Sequence, residues 1–171
     1  MKKIKKIVNP LTKNSTLSLF IEDNSLHFEY GHCIPKSTSC SVIHGHSAKI
    51  TLEVFGNPDK EGMIVEFRLI KDALKKVLHI FDHKFIVAKQ YATLKKDRYF
   101  VSFDGPNGYV EFNVPASHII LLSGDPTSEN MVKAISDQLE KVLPKKVLAF
   151  SVVFFEGATK GAILTRKRNN K

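Results

Sequence analysis

Apolar residues recur along this chain with two different spacings, and the points where the spacing changes divide it into elements. Residues 17–22 and 26–31 read as two short strands joined at Asp23-Asn24-Ser25, whose side chains favour a turn. From Ser47 to Phe55 the alternation is strict. Ala48, Ile50, Leu52 and Val54 fall on one face, with Ser47, Lys49, Thr51 and Glu53 on the other, which predicts a half-buried antiparallel strand ending at Gly56-Asn57-Pro58-Asp59. Steps of three and four follow in Phe67, Ile70, Leu74, Val77, Leu78 and Phe81, opposite Arg68, Lys71, Asp72, Lys75 and Lys76, and predict an amphipathic helix. A second helix is predicted from Asp125-Pro126-Thr127, with Thr127 as its N-cap and Glu129 in a first turn that favours negative charge. Met131, Ile135, Leu139 and Val142 give its apolar face, and Pro144 closes it. Between the helices, Lys89 to Asp97 reads as a polar link. Tyr99–Phe103 and Tyr109–Val114, joined through Asp104-Gly105-Pro106-Asn107-Gly108, read as a β-hairpin. Two strands, Val147–Glu156 and Gly161–Arg166, close the pattern. Strands, helix, hairpin, helix, strands predicts an α+β fold, an antiparallel sheet with two helices on one face.

At 171 residues and 43% hydrophobic content the chain fits one domain with a sizeable core. No apolar run approaches the roughly 18–20 residues that span a bilayer. The net charge of +9 is concentrated at the ends, in Lys2, Lys3, Lys5, Lys6, Arg166, Lys167, Arg168 and Lys171. Without those eight, residues 7–165 carry eighteen basic against seventeen acidic residues, so the body is nearly neutral and net charge gives no support to a nucleic-acid groove. The segment after the N-terminal lysines, residues 7–14, is too short and polar for a secretory signal. Cys33 and Cys40 are too few for a disulfide framework; one bridge across their short loop or two free thiols both fit, and the thiol pair in a reducing cytoplasm is the expectation.

Candidate chemistry is densest between residues 32 and 46. His44 and His46 flank Gly45 at the start of the alternating strand, and a period of two puts both imidazoles on one face. A third nitrogen from His32, at the end of the preceding strand, would complete a three-histidine site with an open fourth position, the catalytic arrangement for zinc. A lone His-x-His on a strand is otherwise a surface feature. Cys40 beside a cation would supply thiolate near neutral pH; alone, it would be an inert thiol. Asp82-His83, where the first helix ends, serves either catalysis or the helix C-terminus. Glu156 ends the apolar run from Val147, and either emerges into solvent or is kept in a pocket for a polar ligand.

Taken in order from Phe28 to Ala162, these segments resemble the 6-pyruvoyl-tetrahydropterin synthase / 6-carboxy-tetrahydropterin synthase family. Phe28-Glu29-Tyr30-Gly31-His32 resembles the strand ending in its first zinc histidine. His44-Gly45-His46, Asp82-His83 and Pro126-Thr127-Ser128-Glu129-Asn130 resemble its His-Gly-His, Asp-His and Pro-Thr-x-Glu-Asn motifs, and Glu156 stands where its pterin-binding glutamate does. The resemblance implies a tunnelling fold with a four-stranded antiparallel sheet, assembled as trimers that stack into a hexamer with active sites between subunits. It implies Zn2+ on His32, His44 and His46, Cys40 moving protons on the substrate side chain, and His83 relaying them with Asp82 orienting it. Glu156, with Thr127 and Ser128 beside it, would bind the pterin, and Lys36 or Lys49 are candidates for the triphosphate. The domain would run over 1–171, with a basic N-terminal extension at 1–16, an inserted hairpin region at about 92–121 and a basic tail at 166–171.

Three residues separate Cys40 from His44-Gly45-His46, which resembles the short spacing of 6-carboxy-tetrahydropterin synthases. The implied reaction therefore converts 7,8-dihydroneopterin triphosphate to 6-carboxy-5,6,7,8-tetrahydropterin, with release of triphosphate and acetaldehyde, on the route to 7-deazaguanine nucleosides. A 6-pyruvoyl-tetrahydropterin synthase or another pterin side-chain lyase is the alternative, and a non-catalytic pterin- or RNA-binding protein the alternative from a different class. The chain departs from the family pattern at Glu66, Ile86-Val87, Gly157 and Leu164, positions around the pocket more than at the metal or proton-transfer groups.

Overall fold

Ala48, Ile50, Leu52 and Val54, the apolar half of the alternating run, are completely buried, and the strand that carries them is the centre of the fold. The computed structural model describes residues 16–168, so the N-terminal basic extension up to residue 15 and the last three residues lie outside the described residues. In chain order the first half comprises β1 (Ser18–Ile21), β2 (His27–His32), β3 (His44–Phe55), α1 (Phe67–Phe81) and β4 (Lys84–Ala88). The second half comprises β5 (Ala92–Lys95), β6 (Arg98–Gly105), β7 (Gly108–Pro115), β8 (Ile119–Leu122), α2 (Ser128–Val142), β9 (Ala149–Glu156) and β10 (Lys160–Lys167). Seven strands form the main sheet in the order β10-β9-β3-β2-β4-β8, with β1 also paired to β3.

β1 and β2 do not pair with each other. Both lie antiparallel along one flank of β3, β1 against Leu52–Phe55 and β2 against His44–Lys49, and Ile50 N–H donates to Leu26 C=O between them. The Asp23 turn therefore bends the chain along β3 rather than reversing it. α1 and α2 cover one face, where Ile70, Leu74, Val77, Met131, Ile135 and Leu139 close over Phe28, Ile50, Phe150 and Phe154. Each such buried side chain contributes about 1.5–3 kcal/mol. Phe67, counted on the apolar face of α1, is mostly exposed in its first turn.

The sheet is antiparallel through β10, β9, β3, β2 and β1, but β4 joins β2, and β8 joins β4, in parallel. Ile86 of β4 faces the helices while Val87 faces a second, smaller core with Cys33, Val101 and Phe103. That second core belongs to a three-stranded sheet, β5-β6-β7. The expected hairpin is β6–β7, and β5 adds a third strand within the stretch that reads as a polar link.

The C-terminal basic residues begin inside the last strand. Residues 166–167 end β10, and Arg166 is largely buried between Asp137 at 2.7 Å and Glu140 at 2.8 Å on α2. Arg168 donates to the main-chain carbonyls of Glu140, Pro144 and Val147. Two of the basic residues at this end, Arg166 and Arg168, thus fasten α2 to the sheet.

Candidate active site and metal centre

Antiparallel register places His32 directly opposite His44, and Tyr30 opposite His46, so the three imidazoles share one face at the loop end of the β2–β3 pair. One ring nitrogen from each lies within 4.8 Å of the other two. His32 Nδ1 is 2.9 Å from Pro126 O and His44 Nδ1 is 2.9 Å from Val42 O. A carbonyl only accepts, so both Nδ1 atoms carry a proton, and in the neutral, metal-binding form of each ring Nε2 presents a lone pair. Those two Nε2 atoms stand 3.0 Å apart. Two lone pairs that close repel unless a cation lies between them. Two nitrogens each about 2.0–2.1 Å from a tetrahedral zinc would themselves be roughly 3.3 Å apart. Imidazoles oriented through Nδ1–H by carbonyls are the usual support for metal ligands, and the donor set fits zinc.

Burial pushes His32 down to about 4, against the opposing pull of the Pro126 carbonyl, and burial likewise lowers His46. Both rings are therefore neutral at neutral pH, the state that binds metal. For the same reason their approaches to Glu156 Oε1, 3.8 Å from His32 and 3.6 Å from His46, are not ion pairs.

Glu156 ends β9 opposite Ala48, on the same face as the histidines. It does not emerge into solvent: its side chain is 14% exposed. Tyr30 Oη donates to Oε1 at 3.0 Å and Ser128 Oγ donates to Oε2 at 3.3 Å. Burial, then the Glu156 charge, pushes the Tyr30 phenol well above its ordinary range, which keeps it a donor. Ser128 thus joins the glutamate. Thr127 caps α2, accepting from Asn130 N–H at 3.4 Å. Tyr30 was not among the sequence candidates; its position two residues before His32 on the same face was the available signal.

Asp82 and His83 sit at the edge of β2. His83 takes a left-handed φ of 55° as the chain leaves α1, and its N–H donates to Glu29 O at 2.7 Å. Asp82 Oδ1 accepts from Glu29 N–H at 3.1 Å and from His83 Nδ1 at 2.9 Å. Burial raises the Asp82 carboxyl, but the Glu29 N–H and then His83 outweigh it and hold the group below the usual range. His83 lines an open cleft of about 620 Å³ that reaches His44 and His46. Gly31 and Gly45, paired in register, form part of its floor, and a Cβ on Gly31 would meet the Phe85 ring at 3.1 Å.

Cys40 lies in the loop 33–43 that joins β2 to β3, partly exposed, with Sγ 3.5 Å from Ser39 Oγ. Among the described residues no contact joins its thiol to His83 or to the three histidines. Cys33 is buried, and both thiols are free. Lys49 is paired with Glu22, and Lys36 is exposed.

Residues 23–167 match the family described as 6-pyruvoyl tetrahydropterin synthase. Among curated proteins, a putative 6-carboxy-5,6,7,8-tetrahydropterin synthase of Methanocaldococcus jannaschii is 26% identical, covering 84% of this chain and 94% of that protein. The 6-carboxy-5,6,7,8-tetrahydropterin synthase of Rickettsia felis is 27% identical over 67% of this chain and 75% of its own length. Among solved structures, a catalytic-residue mutant of 6-pyruvoyltetrahydropterin synthase from Plasmodium vivax superposes with a TM-score of 0.79 at 20% identity, covering 91% of this chain and all of that one. The Plasmodium falciparum 6-pyruvoyl tetrahydropterin synthase gives 0.78 at 22% identity, again over 91% of this chain and all of that one. These structures share the fold.

Proposed function

This chain belongs to the 6-pyruvoyl tetrahydropterin synthase family, and from that we propose that it is a zinc-dependent lyase making 6-carboxy-5,6,7,8-tetrahydropterin from 7,8-dihydroneopterin triphosphate. The reading rests above all on the two Nε2 lone pairs held 3.0 Å apart by carbonyl-bound imidazoles. The names of the curated relatives and the spacing from Cys40 to His44 favour the 6-carboxy product. With one water the atoms balance as 6-carboxy-tetrahydropterin, acetaldehyde and triphosphate, on the route toward 7-deazaguanine nucleosides.

His32, His44 and His46 would hold the metal, which supplies Lewis-acid polarisation of the substrate's side-chain hydroxyls. Glu156, presented by Tyr30 and Ser128, would accept from the amino and ring N–H groups of the pterin, and a ligand lacking those donors would leave a buried carboxylate unpaired. Cys40 would take a proton from a side-chain carbon and later return one. Asp82 accepts His83 Nδ1–H, which leaves His83 Nε2 as the atom that would receive and pass on protons. Cys40 and His83 do not meet within one chain, which supports active sites completed between subunits of a trimer or hexamer. We place the enzyme in the cytoplasm; no helix among the described residues is long and apolar enough to cross a membrane.

Zinc-replete protein incubated with 7,8-dihydroneopterin triphosphate, with product mass read beside a Cys40→Ala control, tests this. The 6-carboxy product, lost in the control, is expected. A 6-pyruvoyl product would reassign the chain to the activity named for its structural neighbours, and an unchanged product with zinc stripped would remove the metal from the mechanism.

A further inference from the structure

We propose that Asn107, at the tip of the β6–β7 hairpin, is a positioning residue for Cys40. The inference rests on the reading of Cys40 as the proton-transfer group. The loop 33–43 is tied down internally by Ile34 N–H to Cys40 O at 2.7 Å, Cys40 N–H to Ser37 Oγ at 3.1 Å and Ser41 N–H to Ser37 O at 3.1 Å. These bonds shape the turn around the thiol without fixing where it sits.

The small sheet fixes it at both ends. At the start of the loop, Cys33 is buried against Val87, Val101 and Phe103. Past Cys40, a single nitrogen, Asn107 Nδ2, donates to Thr38 O at 2.7 Å and to Ser41 Oγ at 3.1 Å. Its two acceptors bracket Cys40, two residues before and one after. Because Thr38 O only accepts, the amide must face it with nitrogen. Ser41 is 1% exposed although polar, so its hydroxyl has no water to fall back on. The backbone of Gly105 also lies against the loop: a Cβ there would meet Pro35 O at 3.3 Å and Ser41 Cβ at 3.4 Å. Both of Asn107's N–H groups are spent on the loop. The hairpin tip is thus a clamp on the catalytic loop.

Asn107→Asp tests this, because aspartate keeps the size and turn preference of asparagine but has no N–H to give. A misplacement of about 1 Å can cost on the order of a hundredfold in rate. The expected result is a fall in kcat of roughly ten- to a hundredfold, with KM, zinc content and thermal midpoint close to wild type. The rate of Cys40 alkylation by iodoacetamide should change at the same time, a readout that a merely structural role would not move. Ser41→Ala, which removes one acceptor from the loop side, should change both in the same direction by less, and Pro106→Ala beside it should change neither. Wild-type kcat and alkylation rate in both Asn107→Asp and Ser41→Ala, with Cys40→Ala inactive, would overturn the clamp alone. Full turnover by Cys40→Ala would overturn the proton-transfer reading itself, and the role of Asn107 with it.

Discussion

The Tyr30 hydroxyl reaches across β3 to donate to Glu156 Oε1 at 3.0 Å, joining two residues 126 positions apart. With Ser128 on Oε2, the carboxylate is held in one orientation before any pterin arrives. Glu156→Gln should lower kcat/KM roughly 10- to 100-fold, the usual worth of hydrogen bonds to a charged group, while leaving zinc content unchanged. Tyr30→Phe, which frees one carboxylate oxygen, should cost about fivefold. Steady-state kinetics beside metal analysis checks both, and a Glu156→Gln enzyme with unaltered kcat/KM would show that the glutamate does not hold the pterin.

The histidine cluster makes a stoichiometric expectation. The wild-type chain should bind one zinc, and His44→Ala or His46→Ala should weaken binding by more than the roughly 10–100-fold typical of losing an outer-shell partner. Chelator competition followed by elemental analysis measures this. Zinc should also raise the thermal midpoint of the wild type and not of these variants.

The two thiols should separate cleanly. Burial, aided by the charge of Asp125, pushes Cys33 up to about 11. At pH 8 only about one in a thousand Cys33 side chains would then be thiolate. A disulfide exchange reagent should titrate one thiol in the native protein, Cys40, and the second only in denaturant. Two fast native thiols would contradict the burial of Cys33.

Much of this arrangement was legible in the sequence, and what was not has physical reasons. The spacing from Phe67 to Phe81 gave the bounds of α1, and Thr127 caps α2 as its residue type predicts. β3 begins at His44 rather than Ser47 because histidine and glycine break the apolar alternation without breaking the strand. β4 and β8 were hidden in short apolar runs. Their apolar residues pack on both faces, against the helices' core on one side and the small sheet's core on the other, so neither period shows. The three histidines were visible because their spacing is local and the hairpin register does the rest. The pairing of Tyr30 with Glu156 and the grip of Asn107 on Ser41 span 126 and 66 positions, and no local pattern records them.

The Asp23 bend should make stability depend on acid. Its carboxylate accepts from Lys71 Nζ on α1 and from Ser25 N–H at 2.8 Å and Oγ at 2.6 Å, and Lys71 first, then Ser25, hold it well below the usual carboxylate range. A depressed folded-state value means stability that is present above the unfolded value near 4 and lost as pH falls below it. Asp23→Asn should therefore lower the thermal midpoint at pH 7, and its difference from wild type should shrink below pH 4. A difference that is no smaller at pH 2.5 than at pH 7 would mean that the charge is not what holds the bend.

The carbonyl that orients His32 belongs to Pro126, one residue ahead of the cap of α2. A ligand seated on the three imidazoles therefore pulls, through one imidazole ring, on the first turn of a helix whose own opening bond is Met131 N–H to Thr127 O. Fraying of that turn and dissociation of the metal become one linked event. Amide exchange at Met131 and Val132 should slow when zinc is added, and the helix that presents Ser128 to the pterin glutamate would be quietened by occupancy of the histidines.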